Sequence, residues 1–196
     1  MPKSENNGAV AVKKIKLSNN GKKSTENVYN LDQVIMQELN HIYRAEEELN
    51  AFFPDLLKSV SDEDLEETLS DLHQQNKRQM ERLEKIMTRY SFKNTQFKVC
   101  EVMHAQIEET KRMMKQFSSG AACDAALIIQ IQKILHHKIA TYGSICEIAD
   151  VLGYNRIADM LDRTLVDCEN ADASLTRLAE EVNSDAFDEL VEGSAH

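Results

Sequence analysis

The sequence predicts an all-α fold, an antiparallel bundle of four long helices with an additional short helix, and three observations carry that prediction. Glycine and proline number only 6 and 2 among 196 residues, which leaves few places for a chain to reverse. Apolar residues recur in alternating steps of three and four, the period of a helix face. The segments with that period are of similar length and joined by short links, as in antiparallel bundles. A β-sandwich or barrel is excluded by the same scarcity of turn-formers. The length suits one domain, on a soft expectation of roughly 100 to 200 residues per domain.

Residues 1–28 open the chain as an expected disordered basic tail. They hold six lysines against Glu5 and Glu26 and too little apolar surface to offset the entropy of ordering. The net charge of the whole chain is −10, so a basic tail precedes an acidic body. The tail is the one candidate for nucleic-acid binding, but it has no arginine and no aromatic before Tyr29. An acidic body repels phosphate, so no nucleic-acid partner is expected. The first helix, about 31–58, carries the stripe Leu31, Ile35, Ile42, Leu49, Phe53 and Leu56, with a kink expected at Pro54. Ser61, followed by Asp62, Glu63 and Asp64, reads as the cap of the second helix, about 62–90, with Leu65, Leu69, Leu72, Met80, Leu83 and Met87 inward. A break at Ser91 to Thr95 leads to the short third helix, about 96–117, with Cys100, Met103, Ile107, Met114 and Phe117 on one side. The fourth, about 122–152, faces Leu127, Ile131, Ile134, Tyr142, Ile145 and Ala149 inward, and Gly153 offers the left-handed residue that ends it. Asn155 is placed to cap the fifth, about 155–182, with Ile157, Leu161, Leu165, Cys168, Leu175 and Ala179. The bundle domain is thus 29–182, and the acidic stretch 183–196 is expected to be frayed.

No run approaches the roughly 18 consecutive apolar residues of a membrane span, so no membrane partner is expected. The N-terminus lacks the apolar stretch of a signal peptide, which points to the cytoplasm. Cys100, Cys123, Cys146 and Cys168 include no Cys-x-x-Cys pair and read as small, reduced, buried hydrophobes.

The informative residues of a bundle are the polar ones its periodicity places inside. Glu46 follows Ile42 by four, and Gln75 and Gln79 fill the gap between Leu72 and Leu83. Lys138 follows Ile134 by four, Asp172 follows Cys168 by four, and Asp167 lies at the stripe's edge. Every long helix therefore has a polar middle. Di-iron carboxylate bundles put metals in such a layer, using a Glu from two helices and Glu-x-x-His from the other two. No Glu-x-x-His occurs in this chain, the second helix supplies amides, and an ammonium competes for a cation's place. The layer therefore reads as a buried ion-pair and amide network, with no catalytic or cofactor-binding residue and no metal expected. An alternative iron or manganese site would draw on Glu46, His136, Asp167 and Asp172.

Between Glu38 and Glu180 the sequence resembles the YciE/YciF family of bacterial ferritin-like proteins, of the DUF892 type. The matches are ELNHIYRAEEEL with a proline soon after, RQMERLEKIM, KVCEVM, DAALIIQIQKI followed by IATYGSICEIADVLGY, and ADMLDRTLVD. The resemblance implies a ferritin-like bundle, a homodimer and a stress-associated or ferroxidase-type role. It also implies metal positions, of which Glu46 is retained after Ala45. Leu72, Gln75 and Asn76 stand where the family shows a histidine, a glutamate and a threonine. Ile134, Leu135, His136, His137 and Lys138 stand for Val-Glu-His-Tyr-Glu, so both acids are gone and one has become a base. Val166, Asp167 and Cys168 replace the family's last acidic cluster. The resemblance thus implies a di-metal site that this chain has largely lost, and a non-catalytic stress-associated or structural protein.

Overall fold

The computed structural model describes residues 30–90 and 99–193. The tail expected at 1–28, the break at 91–95 and the expected helix start at 96 lie outside the described residues. Five helices follow in order, α1 (Leu31–Leu57), α2 (Glu63–Arg89), α3 (Glu101–Phe117), α4 (Ala121–Val151) and α5 (Asn155–Gly193), with no strand among the described residues.

The connections explain the arrangement. Asn30 caps α1 through a reciprocal pair with Gln33, its side chain accepting from the Gln33 N–H while Gln33 accepts from the Asn30 N–H. The helix then runs through Pro54 to Leu57. Asp62, not Ser61, caps α2, accepting from the Leu65 N–H at 2.7 Å. Ser61 instead ties two loops together, its hydroxyl accepting from the Gly120 N–H at 3.0 Å. Gly120 and Gly153 hold φ of 99° and 73°, which a side chain would strain. At Gly153 the Tyr154 N–H reaches Ala149 O and the Gly153 N–H reaches Asp150 O, satisfying the last carbonyls of α4. The first backbone bonds of α5 run from Ile157 and Ala158 to Tyr154 O, so Asn155 is its first residue and not its cap. The helix also runs on to Gly193, past the end expected at 182. Val182 is still buried, whereas Phe187 and Val191 beyond it are exposed.

Cross-helix bonds fix the directions. Residues of α1 meet α2 in reversed order (Tyr43 with Glu84, Asn50 with His73), as do those of α4 and α5 (Gln132 with Thr176, Cys146 with Ala158). Two antiparallel hairpins therefore pack face to face, and the short α3 lies against α4 and α1. The apolar stripes form one continuous core, in which Ile35, Leu39, Leu65, Leu69, Leu127, Ile145 and Leu175 are fully buried. Each such side chain contributes about 1.5 to 3 kcal/mol of transfer free energy. The expected inward faces hold in large part, but Met80, Met114, Leu165 and Ala179 are only half-buried, and Leu31 and Phe117 at helix ends are exposed. All four cysteines are free; Cys100, Cys123 and Cys168 are buried, and Cys146 is only half-buried.

Two histidines make this packing sensitive to acid. Burial depresses the imidazoles of His73, which stacks on Phe53 at 4.8 Å, and of His137. With folded values below the unfolded value of about 6.5, the native state binds fewer protons, so this contribution is complete above that pH and is lost as the pH falls through it. Glu48 and Asp124, which burial raises from their ordinary values, act in the opposite sense at lower pH. The thermal midpoint is expected to fall between pH 7.5 and 6, and His137→Gln to flatten that slope. An unchanged slope in the variant would exclude His137 as a source.

Candidate functional site, a buried polar layer

Midway along the bundle, α1, α2, α4 and α5 turn polar side chains toward one another. Glu46 has no solvent exposure, and Asn76, Gln79, Lys138, Tyr142 and Cys168 are all buried. A carboxylate and an ammonium in such a place each cost several kcal/mol to desolvate unless paired and hydrogen-bonded. Both conditions are met. Lys138 Nζ lies 2.9 Å from Glu46 Oε2 and donates to Gln79 Oε1 at 2.7 Å. The Tyr142 hydroxyl donates to Glu46 Oε1 at 2.7 Å, and Asn76 Nδ2 donates to Glu46 Oε2 at 2.5 Å. The Gln79 amide then reaches Cys168 Sγ at 3.7 Å, joining α5 to the layer.

These contacts set the protonation states. Burial pulls the Lys138 ammonium down, but attraction to Glu46, its hydrogen bond to that carboxylate and the influence of Cys168 and Asp167 together more than offset it, and the amine is held above its ordinary value. Burial, reinforced by the Glu46 charge, raises the Tyr142 hydroxyl well above the usual phenol range. Burial also pushes the Cys168 thiol up to about 11, so it stays protonated and is a poor nucleophile at neutral pH. The layer therefore holds one carboxylate and one ammonium with neutral donors around them.

The residues expected in this layer divide into two groups. Glu46, Gln79 and Lys138 come together. Asp167 instead faces Arg82, whose Nη1 lies 2.6 Å from its carboxylate and donates to Thr164 Oγ1 as well. Asp172 pairs with His136 at 3.2 Å, and the His136 ring is exposed. Gln75 is half-buried at the layer's edge and makes none of the Glu46 or Lys138 bonds. Asn76 takes the interior position instead. Spacings of three and four from Leu72 both fit a helix face, and which of Gln75 and Asn76 turns inward depends on the helix's rotation in the bundle. Arg82 carries no periodicity signal, since it lies beside the stripe and reaches Asp167 along its stem.

The donor set does not suit a pair of divalent cations. Both Glu46 oxygens already accept from protein donors, one of them from an ammonium. Glu46, His136, Asp167 and Asp172 are dispersed over three separate pairings and do not converge. Among the described residues no three of His, Cys, Asp and Glu stand together so as to hold a metal ion.

Residues 30–187 match the model of a family described as a domain of unknown function, DUF892. The chain is 30% identical over 153 residues to Protein YciF of Escherichia coli (strain K12), covering 78% of this chain and 92% of that protein. The crystal structure of the E. coli stress protein YciF superposes with a TM-score of 0.75 at 28% identity, covering 79% of this chain and 98% of that one. A second solved structure, YcfI from Rhodopseudomonas palustris, gives a TM-score of 0.73 at 22% identity over 79% and 98% of the two chains, a likeness of fold.

Proposed function

From the premise that this chain belongs to the DUF892 family, together with E. coli YciF, we propose that it is a non-catalytic, ferritin-like helical protein whose ancestral di-metal layer has become an ion pair. The observation that carries the reading is Lys138 Nζ at 2.9 Å from Glu46 Oε2 in a fully buried setting. A fixed positive charge there neutralises the carboxylate that a metal would need, and it repels any cation approaching the same oxygens. Asp167 and Asp172 are held by Arg82 and His136 and not by the Glu46 pair, which supports a layer short of the carboxylates that two divalent ions require. The role is then structural or stress-associated, as a homodimer in the cytoplasm, in keeping with the E. coli relative's description as a stress protein. No helix among the described residues is long and apolar enough to cross a membrane.

Aerobic iron loading tests this reading. Protein purified without chelator is expected to retain no stoichiometric iron, and its oxygen consumption with ferrous iron to match the buffer blank. Two irons per chain with an oxo-bridge absorption band would establish the iron- or manganese-binding alternative instead.

A further inference from the structure

The end of α5 carries an apolar face that the bundle does not use. Val182 is the last buried side chain of the helix among the described residues, yet the helix continues to Gly193. The Glu189 carboxylate lies within contact distance of the space a Gly120 side chain would fill, so that side of the extension faces the loop before α4. Phe187 and Val191 each stand two residues from Glu189, about 200° around the helix, and so project from the opposite side. They are one turn apart and exposed by 63% and 52%. The charge around them has one sign. Glu180, Glu181, Asp185, Asp188 and Glu189 are all exposed, and no lysine or arginine follows Arg177. An exposed apolar pair rimmed by acids has the form of a docking surface for a partner that is both cationic and apolar.

We propose that this face receives residues 9–17 of the same chain. That segment, AVAVKKIKL, sets Val10, Val12, Ile15 and Leu17 among Lys13, Lys14 and Lys16 and holds no acid. It therefore has apolar side chains to cover Phe187 and Val191 and cations to answer the acids around them. The length of chain before α1 allows the contact. The Tyr154 hydroxyl donates to Asp32, so α1 and α5 begin at the same end of the bundle, and Phe187 lies about 48 Å along α5 from Asn155. Val12 stands about 18 residues before Asn30 and can lie up to about 60 Å from it. Other occupants fit less well. A second copy of the same face would set acid against acid, and an anionic membrane or nucleic acid would be repelled by the same charge. The inference concerns a surface away from the polar layer and does not depend on whether the protein handles iron.

Trypsin cuts after lysine, so digestion of the full-length chain reports the docking at Lys13, Lys14 and Lys16. In low salt these bonds are expected to be cut on the order of tenfold more slowly than in a synthetic peptide of residues 1–28, the ratio for a segment docked about nine-tenths of the time. The protection is expected not to change with protein concentration. It is expected to be lost in Phe187→Ser, in Asp188→Lys and in about 1 M salt, where charges are screened beyond about 3 Å. Both substitutions fall beyond the last buried residue, so the bundle keeps its core in each. Cleavage as fast as in the free peptide, or protection unchanged in both variants, would overturn the proposal. Protection that grows with protein concentration would overturn it in favour of the same segment from a second copy.

Discussion

Lys138→Met is expected to lower the free energy of unfolding by about 3 to 5 kcal/mol, the cost of stranding the other member of a buried ion pair. Methionine fills most of the lysine stem's volume, so packing loss is small and the effect isolates the charge. What remains is Glu46, with no solvent exposure, still accepting from Tyr142 and Asn76 but facing an apolar thioether where the ammonium stood. Gln79 Oε1 also loses its donor. Urea unfolding at neutral pH checks this, with the midpoint falling and the slope unchanged. The pH dependence follows from the raised amine. Its contribution is complete below the unfolded value of about 10.4 and is lost as the pH rises through the higher folded value, so the difference between wild type and Lys138→Met persists at neutral pH and shrinks in strong alkali. A loss below about 0.5 kcal/mol would mean that the lysine behaves as a surface residue.

Asp124→Ala is the second large effect, and it acts away from the polar layer, on how the hairpins are joined. Asp124 is buried at the start of α4, and its carboxylate accepts from the Ser61 N–H at 3.1 Å and the Asp62 N–H at 3.0 Å. Those are backbone donors at the entry to α2, which the helix itself cannot satisfy. Removing the carboxylate leaves them without a partner and detaches the loop that also holds Gly120 through Ser61. Hydrogen bonds to a charged group are worth about 1.5 to 3 kcal/mol, and the expected loss is of that size. Asp124→Asn keeps one acceptor oxygen in place, so it is expected to recover about half of the loss in the same unfolding assay. Equal losses for the two substitutions would show that the negative charge matters and the acceptor does not.

The architecture is legible because long helices write themselves into sequence as stripes. Leu127, Ile131, Ile134, Tyr142, Ile145 and Ala149 are all expected inward from spacing alone, and all are buried. Helix termini are less legible because neighbouring polar residues compete for each role. Ser61 and Asp62 are both good caps, and the tertiary bond from Ser61 to Gly120 leaves the capping to Asp62. The polar layer is partly legible for the same reason. Periodicity places Glu46, Gln79 and Lys138 inside, because they replace apolar residues in their stripes. It also places Asp167 and Asp172 there, although each sits close enough to the edge to find a partner elsewhere. The choice of Arg82 and His136 as those partners depends on the faces of other helices, which no single stripe records.

The coupling between Lys138 and Glu46 is measured directly by a double-mutant cycle built from Lys138→Met and Glu46→Gln. The two single variants each strand a charge, whereas the double variant buries none, and the amide oxygen introduced by Glu46→Gln can still accept from Tyr142. The double variant is therefore expected to be more stable than the sum of the two losses by at least about 2 kcal/mol, within the range seen for groups in direct contact. Additive losses, with a coupling below about 0.5 kcal/mol, would contradict the claim that this pair holds the centre of the bundle in place of metal.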